Sequence, residues 1–148
     1  MTTKTELHIL LKDFFLLHSA DYPLDLVFLY GSWSRGLPKS DSDVDLAVVF
    51  EDYQLSESIA FQRVTDLSVR LTSLLHREVN IIAMDMDFRH PMLYYNAVVC
   101  GELLYAKNEN HYLTWHNQAI VQMEDFQLFG SGWQKEAAKK QLGMTYRE

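Results

Sequence analysis

Tyr30-Gly31-Ser32-Trp33-Ser34-Arg35-Gly36, running on to Ser42-Asp43-Val44-Asp45-Leu46, is the stretch on which the fold turns. An apolar run lies on either side of it. Leu26–Tyr30 (LVFLY) is short and rich in strand formers, and Asp43–Phe50 (DVDLAVVF) is of the same kind, so both read as buried strands. The connection from Gly31 to Ser42 holds two glycines, Pro38 and four serines, and is therefore rich in turns. Gly31 follows its strand directly, where it lets the backbone turn sharply and come close to a ligand. Asp43 and Asp45 are two apart on a strand, so they share a face, with α-carbons roughly 6.5–7 Å apart. Two carboxylates at that spacing repel, and strand interiors disfavour Asp. A divalent cation resolves both objections. Mg²⁺ takes oxygen ligands, commonly one or two carboxylates together with substrate phosphates. Ser32 adds a hydroxyl and an N–H, and a helix start here would make a phosphate site. Arg35 can add a charge-assisted contact to phosphate. Either half of the pattern alone is weak: Gly130-Ser131 is a match with no carboxylates behind it. Together, in the order strand, Gly-Ser, ten residues, Asp-x-Asp, apolar strand, they are specific.

Working outward, residues 4–19 read as a helix with Leu7, Leu10, Leu11, Phe14 and Phe15 on one side, broken by Tyr22-Pro23. Residues 57–75 switch to helical spacing after a candidate N-cap at Ser56. Glu78–Met84 (EVNIIAM) is a third strand, a helix near 89–100 starts just before Pro91, and Leu103–Ala106 is a short extended segment. Residues 111–128 read as a helix with Tyr112, Trp115, Ala119, Met123 and Phe126 on one face, ended by Gly130-Ser131-Gly132. The sum is one α/β (α+β) domain over residues 1–148, a small mixed sheet flanked by helices, with a C-terminal helical segment from about 109.

Composition narrows the classes. Thirteen Lys and Arg against twenty Asp and Glu give a net charge of −7, which argues against broad electrostatic binding to nucleic acid and suits a basic protein partner. A nucleotide is not excluded, because a metal supplies local positive charge. No apolar run reaches the length of a membrane helix, and the first residues do not read as a signal peptide. Cys100 is the single cysteine, so no intrachain disulfide forms, and a cytoplasmic location is the simplest expectation. Six histidines are scattered with no zinc spacing.

Gly31-Ser32, ten residues, then Asp43-Val44-Asp45 resembles the Gly-Ser-x10-Asp-x-Asp pattern of the DNA polymerase β-like nucleotidyltransferases. The flanks agree: Tyr30 before, Arg35-Gly36 within, Ser42 ahead of the first Asp. Pro91-Met92-Leu93 leading to Gly101-Glu102-Leu103-Leu104-Tyr105, and the helix with Trp115 and Asp125-Phe126, are similar to the minimal nucleotidyltransferase (MNT) antitoxins of the MntA type. The resemblance spans roughly residues 25–130 and is strongest at 28–48. It implies that Asp43 and Asp45 hold Mg²⁺ and serve catalysis, and that Gly31 and Ser32, with Arg35 and Ser42, hold the nucleotide. It implies ATP as substrate and a HEPN-domain ribonuclease toxin as partner, the two in an oligomeric complex. The reaction implied is transfer of AMP to a tyrosine of that toxin.

One position departs from the family. A third carboxylate is expected on the third strand, where this chain has Asn80. An amide donates a hydrogen bond or offers a weak metal oxygen, and is a poor general base. Glu78, Asp85 or Asp87 could substitute, and strand alternation puts Glu78 on the face of Asn80 and the other two on the opposite one, so Glu78 is the best substitute. Two functions from different classes therefore stay open: a transferase that modifies its toxin, and a nucleotidyltransferase fold that neutralises the toxin by contact. A small-molecule nucleotidyltransferase, as in antibiotic modification, ranks lower, because 148 residues leave little room for a substrate region. Trp33 either stacks on a base or packs the loop. Phe129 and Trp133 form a candidate partner surface, since aromatic residues favour interfaces.

Overall fold

The computed structural model describes residues 3–34 and 42–141, with side chains described as far as residue 128. Helix α1 (Lys4–His18) opens on Thr3, whose hydroxyl accepts the Glu6 N–H at 3.1 Å. A 3₁₀ turn at Ser19–Asp21 leads into β1 (Leu24–Tyr30). Strand β2 (Val44–Phe50) is followed by α2 (Glu57–Leu75), β3 (Val79–Ala83) and α3 (Pro91–Tyr95), which continues as a π-helical turn at Asn96–Cys100. Strand β4 (Glu102–Ala106) and α4 (Glu109–Gln141) complete the chain. The strands form one mixed sheet in the order β3-β2-β1-β4, with β1 antiparallel to both neighbours and β2 parallel to β3.

Period-2 alternation makes this a three-layer domain. One face of the sheet (Val27, Leu29, Val44, Leu46, Val48, Val79) packs with Leu7, Leu11 and Phe15 of α1 and Leu67 and Leu71 of α2. The other face (Leu26, Phe28, Ala47, Val49) packs with Tyr94, Ala97 and Val98 of the α3 region and Trp115 and Ala119 of α4. Asp45 alternates onto this second face, between Val44 and Leu46 of the first. Among the described residues no helix is long and apolar enough to cross a membrane.

Several sequence expectations shift at their ends. Strand β1 begins two residues earlier than expected, at Leu24, and the additional residue Asp25 coincides with a break in register against β2. This bulge carries a buried carboxylate that accepts from Tyr53 Oη at 2.7 Å and meets His111 Nδ1 at 2.9 Å, tying β1 to the start of α4. Asp43 lies just before β2 rather than in it. The expected end of the last helix at Gly130-Ser131-Gly132 is overturned, since α4 runs through to Gln141. A glycine inside a helix costs only about 1 kcal/mol, and the Lys-Glu-Ala-Ala-Lys-Lys run that follows is made of strong helix formers. The proposed surface at Phe129 and Trp133 lies outside the described side chains. Of the α4 stripe, Trp115 and Ala119 are buried and Phe126 is exposed.

Ser56 caps α2 as its sequence position predicts, its Oγ accepting the Ile59 N–H at 3.3 Å. Ser56→Ala is expected to lower stability by about 1 kcal/mol, read as a lower urea midpoint at unchanged m-value. At its far end α2 stops at His76 in the left-handed conformation (φ 55°), which swings Arg77 and Glu78 directly into β3.

Strand β3 is an edge. Val44 N–H donates to the Glu78 carbonyl and Met84 N–H to the Val48 carbonyl, so alternate residues bond β2. The backbone groups of Val79, Ile81 and Ala83 therefore face outward. Helix α2 meets the first of these: Ser68 Oγ donates to the Val79 carbonyl at 2.5 Å, and Thr72 Oγ1 accepts the Val79 N–H at 3.3 Å.

Candidate active site

Because β1 and β2 are antiparallel neighbours, the end of one meets the start of the other, and Tyr30 pairs with Asp45. Gly31 therefore sits beside the Asp45 side chain. Its φ is +76°, a conformation that suits glycine, and a Cβ there would lie 2.5 Å from Asp45 Oδ2. Sequence predicted a glycine for turning and close approach; the structure adds that the close approach is to a carboxylate. The parallel pairing of β2 and β3 sets Asp45 opposite Asn80. Asn80 Nδ2 donates to Asp43 Oδ2 at 3.3 Å and to Asp45 Oδ1 at 3.4 Å. The amide thus bridges both carboxylates from the position where the family pattern expects a third.

Asp43 is exposed and Asp45 half-buried. Burial raises the Asp45 carboxyl above its ordinary pKa, the Asn80 hydrogen bond works against that, and the Asp43 charge adds to it. The Tyr30 hydroxyl is pushed up to about 12, by burial first and by the Asp45 charge second. Tyr30 thus belongs to the electrostatics of the site, a role that its place ahead of the Gly-Ser pair did not disclose.

Among the described residues no third Asp, Glu, His or Cys joins Asp43 and Asp45. Glu78, the expected substitute, contributes its backbone carbonyl to Val44, and its exposed side chain is not brought into the cluster. Asp85 and Asp87 lie beyond the far end of β3, where Asp85 pairs with Arg89 at 2.7 Å. Arg35 lies outside the described residues. Ser32 follows Gly31 at the mouth of the site and is partly exposed, while Ser42 precedes Asp43 and its carbonyl accepts from Trp33 Nε1 at 3.2 Å.

Trp33 answers the question its sequence position left open. Its ring is only 2% exposed and belongs to the α1/α2 core, so it packs the loop and presents no face to a base. Lys4 of α1 holds the same loop from the other side, donating to the Ser34 carbonyl at 2.9 Å while paired with Glu102 at 2.6 Å.

A backbone turn pressed against paired carboxylates, on adjacent strands, can hold a divalent cation next to a phosphate chain. The model of the "Polymerase beta, Nucleotidyltransferase" family matches residues 17–110, which include the whole site. The chain belongs to this nucleotidyltransferase family. No curated protein sequence matches it. A toxin–antitoxin crystal structure with AMP-PNP contains a similar fold, with a TM-score of 0.67 at 20% identity, covering 86% of this chain and 98% of that one. An MntA–HepT toxin–antitoxin structure gives a TM-score of 0.64 at 20% identity, covering 88% and 98%. A structure of the tri-AMPylated Shewanella oneidensis HEPN toxin in complex with MNT antitoxin gives 0.64 at 19% identity, with the same coverage of 88% and 98%. The fold is thus the polymerase β-like nucleotidyltransferase α/β fold that the resemblance implied.

Proposed function

We propose that this nucleotidyltransferase is an MNT-type antitoxin that transfers AMP from ATP to a tyrosine of a HEPN ribonuclease toxin and so neutralises it. The observation that carries the reading is the gathering of Asp43 and Asp45 under one amide, with Asp45 directly against the Gly31 backbone. Its context supports it: structures alike in fold come from toxin–antitoxin complexes, one with AMP-PNP and one with an AMPylated toxin.

Two carboxylates gathered beside a backbone turn fit Mg²⁺, which commonly takes one or two carboxylates together with substrate phosphates. When bound, the ion supplies charge neutralisation for the transferring phosphoryl group. The chain's own residues do the rest. Asp43 and Asp45 fix where positive charge sits. Gly31 and Ser32 offer N–H groups and a hydroxyl to the phosphates, with Ser42 and Arg35 as further candidates. The phenol oxygen attacks the α-phosphorus, the bond to pyrophosphate breaks, and pyrophosphate leaves with the electron pair. Asn80 is a hydrogen-bond donor to the carboxylates and does not take the phenol's proton, which passes to water.

Incubation with ATP, Mg²⁺ and the partner should add AMP to the toxin by mass spectrometry, and Asp43→Ala should abolish the addition while leaving the complex intact. Asn80 favours a second reading, neutralisation by contact alone. Toxin inhibition that survives Asp43→Ala and Asp45→Ala, with no AMP added by the wild type, would establish it and refute the transferase.

A further inference from the structure

The site's two halves, Gly31-Ser32 on one side and Asp43-Asp45 on the other, are joined by a ten-residue loop and must be held at a fixed spacing. The β1–β2 ladder does this at Tyr30 and Asp45. A second tie lies one step further out, at Trp33. Its indole Nε1 donates to the Ser42 carbonyl at 3.2 Å, joining the residue after Ser32 to the residue before Asp43. The ring is buried in the core with Leu7, Leu11 and Val79. Arg77, which leads from the end of α2 into β3, places its guanidinium carbon 4.9 Å from the Trp33 ring centroid. That is the shortest cation–ring distance among the described residues, and Arg77 stands three residues before Asn80.

We propose that Arg77 is a positioning residue: by stacking on Trp33 it holds the indole where it bonds Ser42, and so sets the spacing between the phosphate-facing turn and the carboxylate pair. The chain of contact runs from β3 through Arg77 to Trp33, and from Trp33 to Ser42 and Asp43. The elements that deliver Asn80 and Asp43 are thereby coupled through one aromatic ring. A guanidinium suits this position because it is planar and weakly hydrated, and stacks on an aromatic face better than an ammonium does. The inference rests on the nucleotidyltransferase reading for its effect on catalysis, but not for the existence of the clamp.

The test is a double-mutant cycle on the full chain, reading affinity for Mg²⁺–AMP-PNP and the KM for ATP. Arg77→Ala and Trp33→Phe are each expected to weaken both by about 5- to 10-fold, the size of a buried cation–π contact. Arg77→Lys should recover part of the loss. If Arg77 acts through the indole, Arg77→Ala should add little once Trp33→Phe has removed the Nε1 bond. If the two losses multiply, Arg77 touches the nucleotide directly and the positioning role is overturned. The clamp itself is read without nucleotide, from hydrogen exchange at the Trp33 indole, whose NMR resonance is the one lost in Trp33→Phe. Arg77→Ala should speed that exchange at least several-fold at unchanged melting temperature, and unchanged exchange would refute the clamp. A wild type that exchanges slowly yet binds no nucleotide would refute the functional reading and leave the clamp standing.

Discussion

Asp45→Asn should abolish AMP transfer and, in metal-free buffer near neutral pH, raise the melting temperature. Both effects have one origin. Asp45 is half-buried, opposite Tyr30 and close to Asp43, and desolvation lifts its pKa. A carboxyl whose folded pKa lies above its unfolded value favours the folded state while it is protonated. That contribution is complete below the unfolded value of about 3.8 and is lost as pH rises through the folded pKa. At neutral pH the ionised group therefore costs stability, and asparagine, which still accepts from Asn80 through its oxygen, removes the cost. The expected rise grows with pH across that window and is flat above it. The loss of transfer is expected at about 10²–10³-fold or more, the scale for removing one preorganised electrostatic partner of the transition state. Added Mg²⁺ should stabilise the wild type by mass action and leave Asp45→Asn unmoved. Calorimetric scans with EDTA and with Mg²⁺ check both statements. An Asp45→Asn protein that melts lower than wild type in EDTA would show that the carboxylate is a structural contact.

Gly31→Ala should be nearly as damaging to transfer, for a steric reason. At φ +76° an alanine costs about 1–2 kcal/mol in backbone energy alone. Its methyl would also sit 2.5 Å from Asp45 Oδ2, closer than any real contact. The carboxylate must move, because the turn is anchored by the β1–β2 ladder behind it and by Trp33 and Lys4 ahead. A displacement of about 1 Å at a reacting centre is enough for roughly 10²-fold in rate. The expected pattern is a fall in kcat/KM of about 10²-fold or more with a stability loss of only about 1–3 kcal/mol. A Gly31→Ala variant with wild-type kcat/KM would show that the carboxylate has room to move, and would weaken the assignment of Asp45 as the metal-holding group.

These two residues also show how far the sequence could be read. The apolar runs around the Gly-Ser and Asp-x-Asp elements specified two buried strands, one ending at the glycine and the other opening on the carboxylates. That much followed from spacing and strand period. What spacing could not supply was partnership across the sheet. Asn80 was visible as a departure from an expected carboxylate, but its bond to both aspartates depends on the β2–β3 register, which no local pattern encodes. Trp33 was ambiguous because an aromatic residue in a loop reads the same whether it faces core or ligand. Asp25 was passed over just ahead of the Leu26–Tyr30 run, since its partners Tyr53 and His111 lie 28 and 86 residues away in the chain. The glycines at 130 and 132 misled because a breaker weighs little when strong helix formers follow it.

The two hydroxyls that α2 lends to Val79 guard the end of an open seam nearest the candidate site. With both of its outward backbone groups engaged, Val79 offers no template to a foreign strand at the end of β3 nearest Asn80. Any amyloid-like pairing would have to begin at Ile81 and Ala83 and stop short. One serine and one threonine thereby close the part of the sheet's border that lies nearest the paired carboxylates.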